Sequence, residues 1–83
     1  MQTVHIDVPD EIFLALKDTP EQLSREIRMA AAAKLYEIGK LSSGRAAELA
    51  GVSRVSFLQS LAEYGVAIFD LREEELLQDL ANA

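Results

Sequence analysis

The stretch that most restricts what this chain can fold into is Ser43–Tyr64, SGRAAELAGVSRVSFLQSLAEY. A small-residue run (Arg45, Ala46, Ala47, Glu48, Leu49, Ala50) meets Gly51-Val52-Ser53, and a second apolar-periodic run with Phe57, Leu58 and Leu61 follows. Two short helices joined through a glycine that tolerates a left-handed backbone form a helix-turn-helix unit. Each position has a physical task in that unit. Ala47 lets the helices cross closely, and Gly51 turns the chain without a Cβ clash. Val52 is expected to tuck under the turn, Ser53 to cap the second helix and Phe57 to anchor it to the body. Ser53, Arg54, Val55, Ser56 and Gln59 then point away from the core, where a recognition helix meets base edges. Ser60 stands where an aliphatic residue is usual, and Leu61 is expected to take over its packing.

Eighty-three residues make one small domain near the lower limit for a self-sufficient core, so oligomerisation is the expected extra source of stability. The chain has no cysteine, and its single histidine, His5, has no partner for a metal, so neither a disulfide scaffold nor a metal or other cofactor is expected. The apolar runs are interrupted by charge and no signal-peptide pattern opens the chain, which points to a cytoplasmic protein with no membrane partner. No nucleophile–base pair or glycine-rich phosphate loop appears, and no enzymatic activity is expected. The run Glu73–Glu75 reads as a solvated first helical turn, because consecutive helical residues diverge. A net charge of −6 opposes nucleic-acid binding, but it is unevenly spread. Residues 1–20 carry −3 and residues 65–83 carry −4, whereas residues 21–64 carry six basic against five acidic side chains. The middle can approach phosphates, and the ends suit a basic partner.

Thr3–Val8 alternates, with Val4, Ile6 and Val8 on one side and Thr3, His5 and Asp7 on the other, the pattern of a half-buried strand that needs an edge to pair with. Pro9 ends it, and a short helix from Asp10 to about Leu16 follows, with Ile12, Phe13 and Leu16 as its apolar side. Thr19-Pro20-Glu21-Gln22 is a helix start with a capping box, and that helix should reach about Ile38 and close at Gly39. Its stripe Leu23, Ile27, Ala31, Leu35 and Ile38 reads as core-facing. Met29, Ala33 and Tyr36 extend the apolar surface to a second side, and the Met29 side offers a dimer contact. Val66–Phe69 reads as a second short strand, whose mate is Thr3–Val8 of the same chain or of a second copy. Asp70 caps a last helix with Leu76, Leu77 and Leu80 on one face.

The expected fold class is therefore mainly α with short β-strands: an N-terminal strand, four to five helices including the central helix-turn-helix, then a short C-terminal strand and helix. Residues 1–83 form a single domain. Within it, 1–41 supply the strand and the dimerisation and core helices, 42–65 the helix-turn-helix, and 66–83 an acidic C-terminal interaction tail.

A strand ending VPDEI, a capped helix leading through EQLSREIRMAAAAKLYEIGKLSSGRAAELAGVS, and a tail GVAIFDLREEEL resemble a family of short uncharacterised prokaryotic proteins over nearly the whole chain. That family is regarded as antitoxin-like because its members are encoded beside PIN-domain ribonuclease toxins. The resemblance implies a dimeric antitoxin that binds its own operator and restrains a toxin nuclease. The expectation is thus a DNA-binding regulator of a toxin–antitoxin operon. Arg54 and Gln59 would read base edges, Val55 would sit on the same face, and Ser53 and Ser56 would bond phosphates or bases. Arg45 and Lys40, together with Arg28 or Lys34, would contact the DNA backbone. Val66, Ile68, Phe69, Leu71, Glu74, Leu76, Leu77 and Leu80 would meet the toxin. The alternative is a protein-interaction scaffold that uses the same two helices without DNA, which the net charge favours. A ribbon-helix-helix reader is the third option, but Asp7 on the outward side of the strand argues against it, leaving that strand a dimerisation device.

Overall fold

A computed structural model describes residues 1–66. The core is built by α2 (Pro20–Glu37), α3 (Ser43–Ala50) and α4 (Arg54–Ser60), closed by a 3-10 turn over Leu61–Tyr64. A short α1 (Asp10–Leu16) precedes them. Each helix of the core starts and stops on local chemistry. Thr19 and Gln22 form the reciprocal capping box at α2, with Pro20 at the first helical position, where a missing N–H costs nothing. Ser42 and Ser53 accept from the N–H groups of Arg45 and Ser56 to cap α3 and α4.

The ends share one device. Gly39 and Gly51 take left-handed backbones after α2 and α3. At α2 the N–H groups of Gly39 and Lys40 return to the carbonyls of Tyr36 and Leu35. At α3 those of Gly51 and Val52 return to Glu48 and Ala47. This paired closure satisfies carbonyls that the helix itself leaves open. The same pattern ends the 3-10 turn, where Gly65 and Val66 donate to Ala62 and Leu61.

The core is small and rich in alanine. Ala32, Ala33 and Tyr36 of α2 meet Ala46, Ala47 and Ala50 of α3, and Phe57, Leu61 and Val66 fill the centre. Phe57 is fully buried and meets the Tyr36 ring edge-on at 5.7 Å between centroids and 90° between planes. Alanines on both helices allow the close α2–α3 approach that the sequence suggested for Ala47. Leu61 is fully buried while Ser60 is half-buried and donates its hydroxyl to the Ser56 carbonyl, so Leu61 does supply the packing that Ser60 lacks.

Four expectations need correction. Among the described residues there is no strand: Thr3–Val8 forms no regular element and pairs with nothing, because the described part of the chain offers it no sheet edge. The expected Val66–Phe69 strand falls outside the described residues except for Val66, as does the helix expected from Asp70. The regular elements among the described residues are all helical. Second, the face of α2 is reversed. Ala32, Ala33 and Tyr36 are the buried side, with Met29 packed against it, so the Met29 side is committed to this chain's own core. In the stripe read as core-facing, Leu23 alone is buried; Ile27 and Leu35 are half-buried, and Ala31 and Ile38 are exposed. Third, Val52 is exposed instead of tucked under the turn, because its N–H closes α3 and carries the side chain outward. The fourth concerns Arg54 and belongs to the site.

At the start of α2, Glu26 lies beside Asp18. A hydrogen bond to the Asp18 side chain, with smaller contributions from burial and from the like charge of Asp18, holds the Glu26 carboxyl above its ordinary range.

Candidate nucleic-acid interface

The turn Gly51-Val52-Ser53 sets α4 against α3, and Arg28 of α2 braces it. The Arg28 Nε–H donates to the Leu49 carbonyl at 2.7 Å. Leu49 lies in the last turn of α3, where carbonyls lack helical partners and the helix dipole favours a cation. The guanidinium then lies close to Gly51: a Cβ there would meet its Nη2, Nη1 and Cζ atoms at 3.2, 3.3 and 3.4 Å. Gly51 is thus required twice, by its left-handed backbone at φ +75° and by the close approach of Arg28. Arg28, expected only as a backbone-contacting cation, is the residue whose structural role the sequence concealed. Its partner is a main-chain carbonyl 21 positions away, and no periodicity reports such a contact.

On α4, Phe57 points inward and Val55, Ser56 and Gln59 are exposed, Val55 at 62 %. Ser53 is exposed but occupied, since its Oγ accepts from the Ser56 N–H and donates to the Ser56 hydroxyl. Arg54 departs from expectation. It is half-buried, and its Nε–H donates at 2.9 Å to the Oγ of Ser43, which is fully buried at the start of α3. Arg54 therefore ties the first turn of α4 to the first turn of α3 and does not project with Gln59 from the open face. The signal for this was Ser43 itself, a polar residue in an apolar crossing that needs bonded neighbours.

Arg45 and Lys40 are exposed, and Arg45 is paired at 3.1 Å with Glu48 one turn on. Both partners are mostly open to solvent, so that pair is weak and is easily exchanged for a phosphate. Lys34 is paired in the same way with Glu37. The structure therefore brings Val55, Ser56 and Gln59 together on one helix face and leaves Lys40 and Arg45 at the surface. It withdraws Arg54, and it also withdraws Val66, which is buried in the core instead of facing a partner. Ile68, Phe69, Leu71, Glu74, Leu76, Leu77 and Leu80 lie outside the described residues. No described helix is long and apolar enough to cross a membrane.

Two relatives are found in the archaeon Aeropyrum pernix, both described as UPF0175 proteins. One is 39% identical over 75 residues, covering 90% of this chain and 79% of the relative. The other is 38% identical over 58 residues, covering 70% of this chain and 73% of the relative. No solved structure matches the chain. The model of the uncharacterised protein family UPF0175 matches residues 1–83, from one end of the sequence to the other, and the chain belongs to that family.

Proposed function

We propose that the protein is a DNA-binding regulator of the antitoxin kind, which docks as a homodimer on its own operator and restrains a partner ribonuclease. The observation that supports this most is the open face of α4. A three-residue turn with a left-handed glycine, braced by Arg28, holds a helix whose inward side is Phe57 and whose outward side is Val55, Ser56 and Gln59. That is the disposition of a helix-turn-helix recognition helix, in which side chains near the helix start meet base edges. Gln59 suits adenine, Val55 suits a thymine methyl, and Ser56 suits either a base or a phosphate. Lys40 and Arg45 supply backbone contacts. In this reading Arg54 keeps α4 at its angle to α3, a positioning role. The toxin half of the proposal rests on the family resemblance and on the acidic, leucine-bearing sequence that follows Val66.

The test is binding of the full chain to the DNA upstream of its own gene, followed by fluorescence anisotropy against unrelated DNA of equal length. The expected result is a preference of roughly a thousandfold or more for the upstream DNA, with affinity falling as salt rises. Gln59→Ala should relax that preference and Arg45→Ala should weaken both DNAs alike. Equal, weak binding to both DNAs removes the operator. Failure to co-purify with a nuclease encoded next to it removes the toxin.

A second reading, a protein-interaction scaffold, is favoured by one observation: Arg54 is turned inward and Arg45 is paired with Glu48, which leaves the two helices little uncommitted positive charge. A partner captured equally by the parent and by Gln59→Ala, with no operator preference, selects it.

A further inference from the structure

Between the leading segment of the chain and the open side of α2 lies a groove of about 670 Å³, within the size range of small-molecule sites. Leu23, Ile27 and Ala31 of α2 and Phe13 of α1 line it, and so do Val4 and Ile6, which are 81% and 62% exposed. Its polar lining is Gln2, Thr3, Ser24 and Arg28. No carboxylate side chain lines it, although the chain carries a net charge of −6, and Arg28 is the one charged side chain among the lining residues. The Arg28 Nε–H is taken by the carbonyl of Leu49, which lines the groove too. Neither Nη group of Arg28 has a hydrogen-bond or ion-pair partner among the described residues.

We propose that this groove binds a small monocarboxylate with an apolar body, its head group on the Arg28 Nη pair and its body along Leu23, Ile27 and Ala31. The inference goes beyond the functional reading and holds whether or not the protein binds DNA. The class of occupant follows from the charge of the lining and the shape of its one donor fork. A cation would meet like charge at Arg28 and no acid to pair with, and a neutral molecule would leave the guanidinium without an anion. A phosphate is ordinarily held by several cations or backbone N–H groups. A single guanidinium instead presents a flat pair of N–H donors that matches one carboxylate. The apolar walls hold the rest of the molecule, since covering Val4, Ile6 and the α2 stripe removes apolar surface from water. This also gives that stripe a task, because the chain's own core lies on the other side of α2, at Ala32, Ala33 and Tyr36. The same guanidinium braces the turn at Gly51, so the head group stands beside the turn that presents α4.

The test needs no DNA, so its failure leaves operator binding to be judged separately. The probe is sodium octanoate, with octylamine as the same chain bearing the opposite charge. Titration of the full chain followed by amide NMR should show saturable octanoate binding at roughly millimolar concentration, with octylamine at least about tenfold weaker. The Gly51 amide should shift, and that of Gly39, beyond the far end of α2, should stay in place. Arg28→Gln should weaken octanoate about tenfold. Because Arg28 also supports the turn, a second variant leaves that contact alone. Ala31 is exposed and glutamate suits a helix, so Ala31→Glu should keep the parent circular dichroism. Its carboxylate would stand in the groove and weaken octanoate at least about tenfold by like charge. Absence of saturable binding below about 10 mM overturns the proposal and leaves the groove to another occupant, a second copy or the chain's own C-terminal residues. Octylamine binding as tightly as octanoate overturns it as well. So does an octanoate affinity unchanged by Arg28→Gln or by Ala31→Glu, or a shift at Gly39 in place of Gly51.

Discussion

Replacing Gly51 by alanine separates two demands that meet at one residue. The first is conformational: a left-handed backbone at φ +75° costs an alanine about 1 kcal/mol relative to glycine. The second is contact. The new Cβ would stand 3.2 to 3.4 Å from the Arg28 guanidinium, tighter than ordinary packing, and this flexible side chain would move away. Moving it breaks the 2.7 Å bond from Arg28 to the Leu49 carbonyl. A charge-assisted bond is worth about 1.5–3 kcal/mol when sheltered, and solvent exposure lowers this one to about 1 kcal/mol. Gly51→Ala should therefore cost about 2 kcal/mol. Gly39→Ala is the control: its backbone is also left-handed, at φ +81°, but a Cβ there meets nothing within 4 Å. It should cost only the conformational part, about 1 kcal/mol. In a domain of this size each kcal/mol moves Tm by about 4–8 °C, so thermal melts should drop by roughly 4–8 °C for Gly39→Ala and roughly 8–16 °C for Gly51→Ala. Repeating both in an Arg28→Ala background closes a double-mutant cycle, and the excess at Gly51 should vanish there. Equal costs at the two glycines, or an excess that survives the loss of Arg28, would refute the bracing of the turn by Arg28.

Phe57→Ala removes the fully buried ring at the centre of the core and should cost about 3–5 kcal/mol, enough to leave much of so small a domain unfolded by circular dichroism at room temperature. Arg54→Ala should lower stability by about 1–2 kcal/mol through loss of its bond to buried Ser43, whereas Gln59→Ala on the open face should stay within about 0.5 kcal/mol in urea titrations. Glu26 has a folded-state pKa raised by Asp18, so the folded chain binds the proton more tightly than the unfolded one. The stability attached to that proton is present at acid pH and is lost as pH rises through the raised value. Glu26→Gln should therefore raise Tm at about pH 7, with the gap to the parent closing by about pH 4.

Local chemistry fixed the helical part of this protein without reference to the rest of the chain. The capping box at Thr19 and Gln22, the serine cap at Ser53 and the left-handed turns at Gly39 and Gly51 each depend on residues within five positions of one another, and such interactions are written directly in the order of the side chains. Tertiary structure decided everything that depends on what lies opposite. Apolar periodicity says that α2 has two greasy sides but not which one meets α3. The choice fell on Ala32, Ala33 and Tyr36 because alanines facing Ala46 and Ala47 permit the closer approach. Arg28 and Arg54 are alike on paper as exposed cations. One braces a turn and the other bonds a buried hydroxyl, because each found a polar group brought within reach only by the crossing of helices. The strand pattern of Thr3–Val8 records a tendency that one chain's described residues leave unpaired, since a strand is made by its neighbour as much as by its own residues.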